Sequence, residues 1–266
     1  MPGSTSYGHW LGEEGAGNTR GCRPVRKIET LTNGSDKSIY RAKNRELSVP
    51  GQKNYEYAYG LAYKLASERL AGIDDIEQQC RGADAQCCVI NSVKVVTIEY
   101  LNRSYLISLP EGNISLMDSE EEVPLREKVM ILHYLILAKG TPLTNKLITF
   151  KELPAGVVYS PTFDKRTIKP ILKYFGEEPQ RLVMAAEKLG GNSVDYGDVA
   201  VTISAFKRVP ITIALWRGDD EFAPEGNVLF DAAISDYLST EDTTVLCEMI
   251  TWKLINYLRE AAKSNT

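Results

Sequence analysis

The sequence lacks the patterns by which the commonest cofactor sites are recognised. Its five cysteines include no C-x-x-C pair, and it has only two histidines, so it predicts neither a disulfide framework nor a zinc ribbon or iron–sulfur motif. The adjacent Cys87-Cys88 pair opens a predicted strand, and we expect reduced thiols there, with a soft-metal or redox role as the alternative. Gly190-Gly191 follows a predicted helix instead of preceding one, so it indicates a helix cap and not a phosphate loop.

Long apolar runs and an excess of basic charge are absent as well. No window approaches eighteen consecutive apolar residues, so no membrane span is predicted. The formal net charge of −4 argues against a sequence-independent nucleic-acid binder, because neutralising phosphates needs excess lysine and arginine. The first ten residues have neither the basic start nor the apolar run of a signal peptide, and we expect a cytoplasmic protein.

What the sequence does contain is enough apolar residues, 43%, for a substantial core. Residues 1–51 are rich in glycine, serine, asparagine and charge without apolar periodicity, which predicts a flexible N-terminal arm that a protein partner could order. Residues 52–266 are predicted to form a single α+β domain.

The predicted elements of that domain alternate between helical and β patterns. Residues 55–71, with Asn54 as N-cap, and 125–138, after Pro124, show helical periodicity, and 241–261 form the last predicted helix. Residues 93–116 predict a three-stranded antiparallel meander, and 199–216 a hairpin. The expected fold is therefore α+β, with antiparallel hairpins packed against helices.

His133 is the first candidate site residue. It lies in a predicted helix that is apolar nearly all round, where a single histidine is usually a hydrogen-bonded core residue. The alternative is that His133 binds a cofactor or transfers protons.

A second candidate site is the acidic stretch between the second hairpin and the last helix. Asp219, Asp220 and Asp231 could bind a hard divalent cation such as Mg²⁺ or Ca²⁺ through oxygen, whereas turn formation would equally explain the first two. Trp216 and Arg217, at the start of the stretch, are candidate cofactor-binding residues. At its end, Ser239 or Thr240 is expected to cap the last helix, with Glu241 and Asp242 complementing the helix dipole.

Several sequence segments resemble, in order and spacing, a family known as domain of unknown function 3786. The segments are Leu132-His133-Tyr134-Leu135, Phe150-Lys151-Glu152-Leu153-Pro154, Leu215-Trp216-Arg217-Gly218-Asp219-Asp220-Glu221-Phe222, Leu229-Phe230-Asp231 and Tyr237-Leu238-Ser239-Thr240-Glu241-Asp242. The resemblance covers residues 54–258 and implies a protein of anaerobic bacteria or archaea. Some members carry a four-cysteine iron–sulfur domain of the sort seen beside corrinoid proteins.

The sequence departs from that family pattern at two places. The first fifty residues contain only Cys22, which excludes a self-contained four-cysteine cluster there, and Ser239 stands where the family tends to have proline.

Three functional hypotheses follow from the sequence. One is a non-catalytic accessory protein of anaerobic metabolism that binds a cofactor such as a tetrapyrrole or corrinoid, or assists assembly of a cofactor-containing complex. The others are a metal-dependent hydrolase or lyase that uses the acidic cluster, and a pure protein-interaction subunit.

Overall fold

The computed structural model describes residues 50–264, with side chains from residue 55 to 263. The predicted arm, residues 1–51, lies outside the described residues except for Pro50 and Gly51. The helices are α1 (Pro50–Ala71), α2 (Ile76–Gly82), α3 (Leu125–Leu137), α4 (Gly156–Phe163), α5 (Lys169–Phe175), α6 (Gln180–Glu187) and α7 (Thr240–Ser264). A π-helical segment, Asp164–Ile168, joins α4 to α5.

The first sheet is an antiparallel meander of four strands in sequence order. Its strands are β1 (Gln86–Ile90), β2 (Val93–Tyr100), β3 (Arg103–Ser108) and β4 (Asn113–Leu116). Two-residue turns join β1 to β2 and β2 to β3, and all four turn residues have positive φ: Asn91, Ser92, Leu101 and Asn102. Positive φ at both central positions matches the right-handed twist of the flanking strands, which is why such turns close hairpins.

The second sheet has five strands in the order β5-β9-β8-β7-β6, all antiparallel. They are β5 (Leu147–Thr149), β6 (Asn192–Val194), β7 (Val199–Phe206), β8 (Val209–Trp216) and β9 (Glu225–Asp231). The central strand β8 is buried along most of its length because β7 and β9 pair with its edges and helices cover the sheet. The two antiparallel sheets with surrounding helices confirm the predicted α+β class.

One continuous hydrophobic core spans both sheets. Helix α3 is central to it, as its apolar sequence predicted: Ile131, Leu132 and Leu135 are fully buried. A column of aromatic rings also crosses the core, with successive ring centroids 3.9–5.9 Å apart. Its members, in order, are Tyr105, Tyr100, Phe206, Tyr134 and Tyr237. The backbone N–H of Leu101 donates to the Ala205 carbonyl at 3.0 Å and joins the two sheets directly.

The structure differs from the sequence-based expectations in several elements, and α2, β6 and β9 were not predicted. Helix α1 begins at Pro50 and not at Asn54, which fits the fixed φ of proline at a first helical position. The meander has four strands instead of three, because β1, the predicted strand that contains Cys87 and Cys88, pairs with β2. Helix α4 was not expected, because Pro161 lies inside it and its N-cap, Ala155, has a left-handed backbone at φ 56°.

Candidate functional site

A cleft of about 620 Å³ opens between helices α1, α3, α4 and α7. Tyrosines, apolar side chains and a few charged groups line it. The lining residues used below are Tyr55, Tyr59, Arg126, His133, Arg166 and Asp242. Clefts between helices with mostly apolar walls and few polar groups are typical places for small-molecule and cofactor sites, which occupy about 300–1,000 Å³.

His133 projects from α3 into this cleft, and α7 supplies its hydrogen-bond partner. Its Nδ1 lies 2.7 Å from Oδ1 of Asp242, and its side chain is 29% exposed. The Ser239 hydroxyl donates to the other carboxylate oxygen of Asp242 at 2.6 Å and accepts the Asp242 backbone N–H at 3.0 Å. Ser239 therefore caps α7, as predicted, and also fixes the carboxylate that orients His133.

The ionisation of Asp242 sets the tautomer of His133. Burial alone would raise the pKa of the Asp242 carboxyl, but hydrogen bonds with His133 and Ser239 outweigh burial and lower that pKa. An ionised carboxylate can only accept, so Nδ1 of His133 carries the proton and donates it. In the neutral ring, Nε2 then keeps its lone pair, and no described residue hydrogen-bonds to it.

The opposite part of the cleft carries two arginines that share one carboxylate. Arg126 Nη2 lies 2.8 Å from Glu248 Oε2, and Arg166 Nη1 lies 3.8 Å from the same oxygen. The Arg126 guanidinium also lies 5.8 and 5.7 Å from the ring centroids of Tyr55 and Tyr59. Burial and the neighbouring Tyr55 hydroxyl raise the pKa of Tyr59 to about 12, so its phenol stays neutral.

Three charged contacts join α3 to α7 beside the cleft. Besides His133–Asp242 and Arg126–Glu248, the buried Glu127 carboxylate contacts Lys253 Nζ at 2.8 Å and accepts the Tyr105 hydroxyl at 3.1 Å. Removing the basic partner of Glu127 or Asp242 is costly, because these carboxylates are only 9% and 14% exposed and would be left uncompensated. The geometry of His133 therefore depends on the packing of two long elements and not on a mobile loop.

Asp231 accepts hydrogen bonds from protein groups at both of its carboxylate oxygens. Its Oδ1 accepts the Thr144 N–H at 3.1 Å, the Thr144 hydroxyl at 3.0 Å and the Ala233 N–H at 2.9 Å, while Oδ2 accepts the Asn145 N–H at 2.7 Å. Burial would raise the pKa of Asp231, but these donors lower it overall. The buried carboxylate thus ties the loop before β5 to the end of β9.

The other predicted residues lie at the end of β8, which Trp216 closes, and on the loop that follows it. Asp219 accepts the N–H groups of Glu221 and Phe222, both at 2.8 Å, as the turn interpretation expected. Arg217, Asp219 and Asp220 line an open depression with Glu177. Trp216 packs edge-on against Tyr196 at 5.9 Å.

The structure therefore does not bring the predicted site residues together. Neither Trp216 nor Arg217 lines the His133 cleft. Among the described residues, no three His, Cys, Asp or Glu side chains are grouped so that they could hold a metal ion, so Asp219, Asp220 and Asp231 are not such a group.

Sequence reasoning missed the two arginines as site residues, and for the tyrosines of α1 it favoured packing over a role in ligand binding. Arg126 lies seven positions before His133, or about two helical turns, so it shares the histidine's face of α3. That spacing could have identified Arg126 from the sequence. No such signal was available for Arg166, because it lies in the unexpected π-helical segment.

Fold and site together define a class: an α+β protein with a histidine-containing cleft between helices. Residues 75–252 match the domain of unknown function DUF3786, and the chain belongs to that family. No curated protein and no solved structure matches the chain. Within the described residues, no helix combines the length and apolar character needed to cross a membrane.

Proposed function

We propose that the protein binds a metal-containing planar cofactor, a tetrapyrrole or corrinoid, in the cleft, where His133 Nε2 would hold the metal. The observation that carries the proposal is the His133–Asp242 hydrogen bond at 2.7 Å. A histidine that binds a metal through one nitrogen almost always donates its other N–H to a carboxylate, carbonyl or water. In this role the protein is a non-catalytic accessory protein of anaerobic metabolism.

The surroundings of His133 support the same proposal. The Asp242 contact fixes the tautomer and the ring orientation of His133, which leaves Nε2 as the atom that would bind a metal. Tyr59 and Tyr159 line the cleft and offer aromatic surface for a planar ligand. The cofactor would supply the metal chemistry, and the chain's residues would hold and orient it.

The alternative hypotheses have less support. A hydrolase or lyase built on Asp219, Asp220 and Asp231 would need those carboxylates at one point, and Asp231 is already engaged by four donors. The hypothesis of a pure interaction subunit depends on residues 1–51. Of these, only Pro50 and Gly51, the first two residues of α1, belong to the described residues.

Reconstitution tests the proposal directly. The purified full chain is titrated with haemin and, separately, with aquocobinamide, and absorption spectra are recorded. We expect one-to-one binding of at least one probe with the spectrum of a histidine-ligated metal. His133→Ala should remove that spectral signature, and added imidazole should restore it by filling the vacated position.

His9 provides the matched control, because it is the other of the two histidines. His9→Ala should bind and absorb as the wild type does, and the thermal melt of each variant checks folding. An unchanged spectrum in folded His133→Ala, or failure of both probes to bind, would refute the proposal.

A further inference from the structure

The charges that line the cleft are separated along its length. Glu241 and Asp242, in the first turn of α7, lie at the His133 end. Arg126 and Arg166 lie at the other end, where Glu248 is the carboxylate that contacts both. The cleft is therefore acidic where the histidine is and carries a surplus of one positive charge at the opposite end.

Helix geometry gives the separation of the two ends. Arg126 precedes His133 by seven residues on α3, and Glu248 follows Asp242 by six on α7. At about 1.5 Å rise per residue, both intervals correspond to roughly 10 Å. The residues of α3 and those of α7 therefore give the same separation between the two ends of the cleft.

One carboxylate oxygen cannot satisfy both guanidinium groups well. Glu248 Oε2 holds Arg126 at 2.8 Å, whereas Arg166 stands off at 3.8 Å with 43% of its side chain exposed. A planar guanidinium presents five N–H donors and favours two-point binding of oxyanions. Arg166 therefore has donors to spare for a group that enters the cleft.

We infer that the ligand of this cleft carries an oxyanion side group, a carboxylate or a phosphate, which Arg166 binds with support from Arg126, roughly 10 Å from the atom held by His133. The inference rests on the proposed function for the His133 end alone. A cationic metal centre at the acidic end and an anionic group at the basic end would match the charge distribution of the cleft and fix the direction in which the ligand enters.

Esterified porphyrins test the oxyanion. Wild-type protein is titrated with haemin, which has two carboxylates, and with haemin dimethyl ester, which has none. We expect haemin to bind about tenfold more tightly, which is near the lower end of the range for a charge-assisted hydrogen bond. Arg166→Gln should reduce that ratio to about one, and Arg166→Lys should restore part of it.

Arg103 supplies the matched control. It also pairs with one carboxylate, Glu121 at 3.0 Å, and is 45% exposed, but it does not line the cleft. Arg103→Gln should leave the ratio unchanged. Equal affinity of the wild type for haemin and its ester would overturn the inference.

Two further measurements separate this inference from the proposed function. Metal-free protoporphyrin IX has the carboxylates without the metal. If Arg166→Gln weakens its binding and His133→Ala does not, the oxyanion site is supported independently of any bond between His133 and a metal. Inorganic phosphate and acetate, at matched ionic strength, test the oxyanion end without any porphyrin. Stabilisation of the wild type but not of Arg166→Gln by one of them identifies the source, and a response to neither, with no porphyrin discrimination, rejects the site.

Discussion

Replacement of Asp231 by asparagine tests how much the fold depends on one buried carboxylate. Asparagine has the same shape, and its amide oxygen can take the place of Oδ1, which accepts three hydrogen bonds. Its NH₂ group would then replace Oδ2 and face the Asn145 N–H, now 2.7 Å from that oxygen. Two donors would meet where a charge-assisted hydrogen bond exists.

The cost can be estimated from these contacts. Loss of a hydrogen bond to a charged group costs about 1.5–3 kcal/mol, and a buried unsatisfied donor costs about 1–3 kcal/mol. We therefore expect Asp231→Asn to lower the free energy of unfolding by about 3 kcal/mol. For a domain of this size, that lowers Tm by roughly 6–12 °C.

The effect of Asp231→Asn should also depend on pH. Because the folded-state pKa of Asp231 is lowered, its contribution is present above the unfolded value of about 3.9 and is lost as pH falls through the folded value. Denaturation by urea at pH 7 and at decreasing pH measures this: the difference between wild type and variant should shrink below about pH 4.

The control for this experiment is Asp220→Asn, an exposed acidic residue that should change stability by less than about 0.5 kcal/mol. The reasoning would be refuted by a loss of less than about 1 kcal/mol for Asp231→Asn, or by a difference that stays constant into acid.

Two further predictions concern stability. Ala155→Gly should raise the free energy of unfolding by about 1 kcal/mol, because Ala155 holds a left-handed backbone at φ 56° that glycine adopts without steric cost; a urea titration in which the variant is less stable would contradict this. Millimolar Mg²⁺ or Ca²⁺ should leave Tm unchanged in both wild type and Asp231→Asn, because both carboxylate oxygens of Asp231 already accept hydrogen bonds from protein donors. A rise in the wild type that Asp231→Asn abolishes would support the cation hypothesis.

The elements that could be predicted are those whose signal is local. The β7–β8 hairpin was predictable from β-branched residues on either side of a short turn, and α3 from Pro124 and a nearly continuous apolar run. Strand β9 was not recognised, because Gly226 and Asn227 weaken its β pattern. Pairing with β8 and β5 stabilises this strand despite its low β propensity.

The site was harder to predict because its contacts join distant parts of the sequence. His133 was identified as a candidate, but Asp242 is 109 positions away and had a sufficient local explanation at the start of α7. Asp231 accepts hydrogen bonds from donors 86 and 87 positions away, which the local sequence does not indicate. The local sequence shows only its acidic neighbours, and these suggested a metal site.

The aromatic column has a consequence for how the molecule comes apart. Tyr134 stacks on Phe206 at 3.9 Å, and Phe206 in turn contacts Tyr100, so α3 and both sheets share the same rings. Neither sheet can separate from the other without exposing large aromatic surfaces to water, which is strongly unfavourable. The two sheets are therefore expected to unfold cooperatively, as one unit with no stable half.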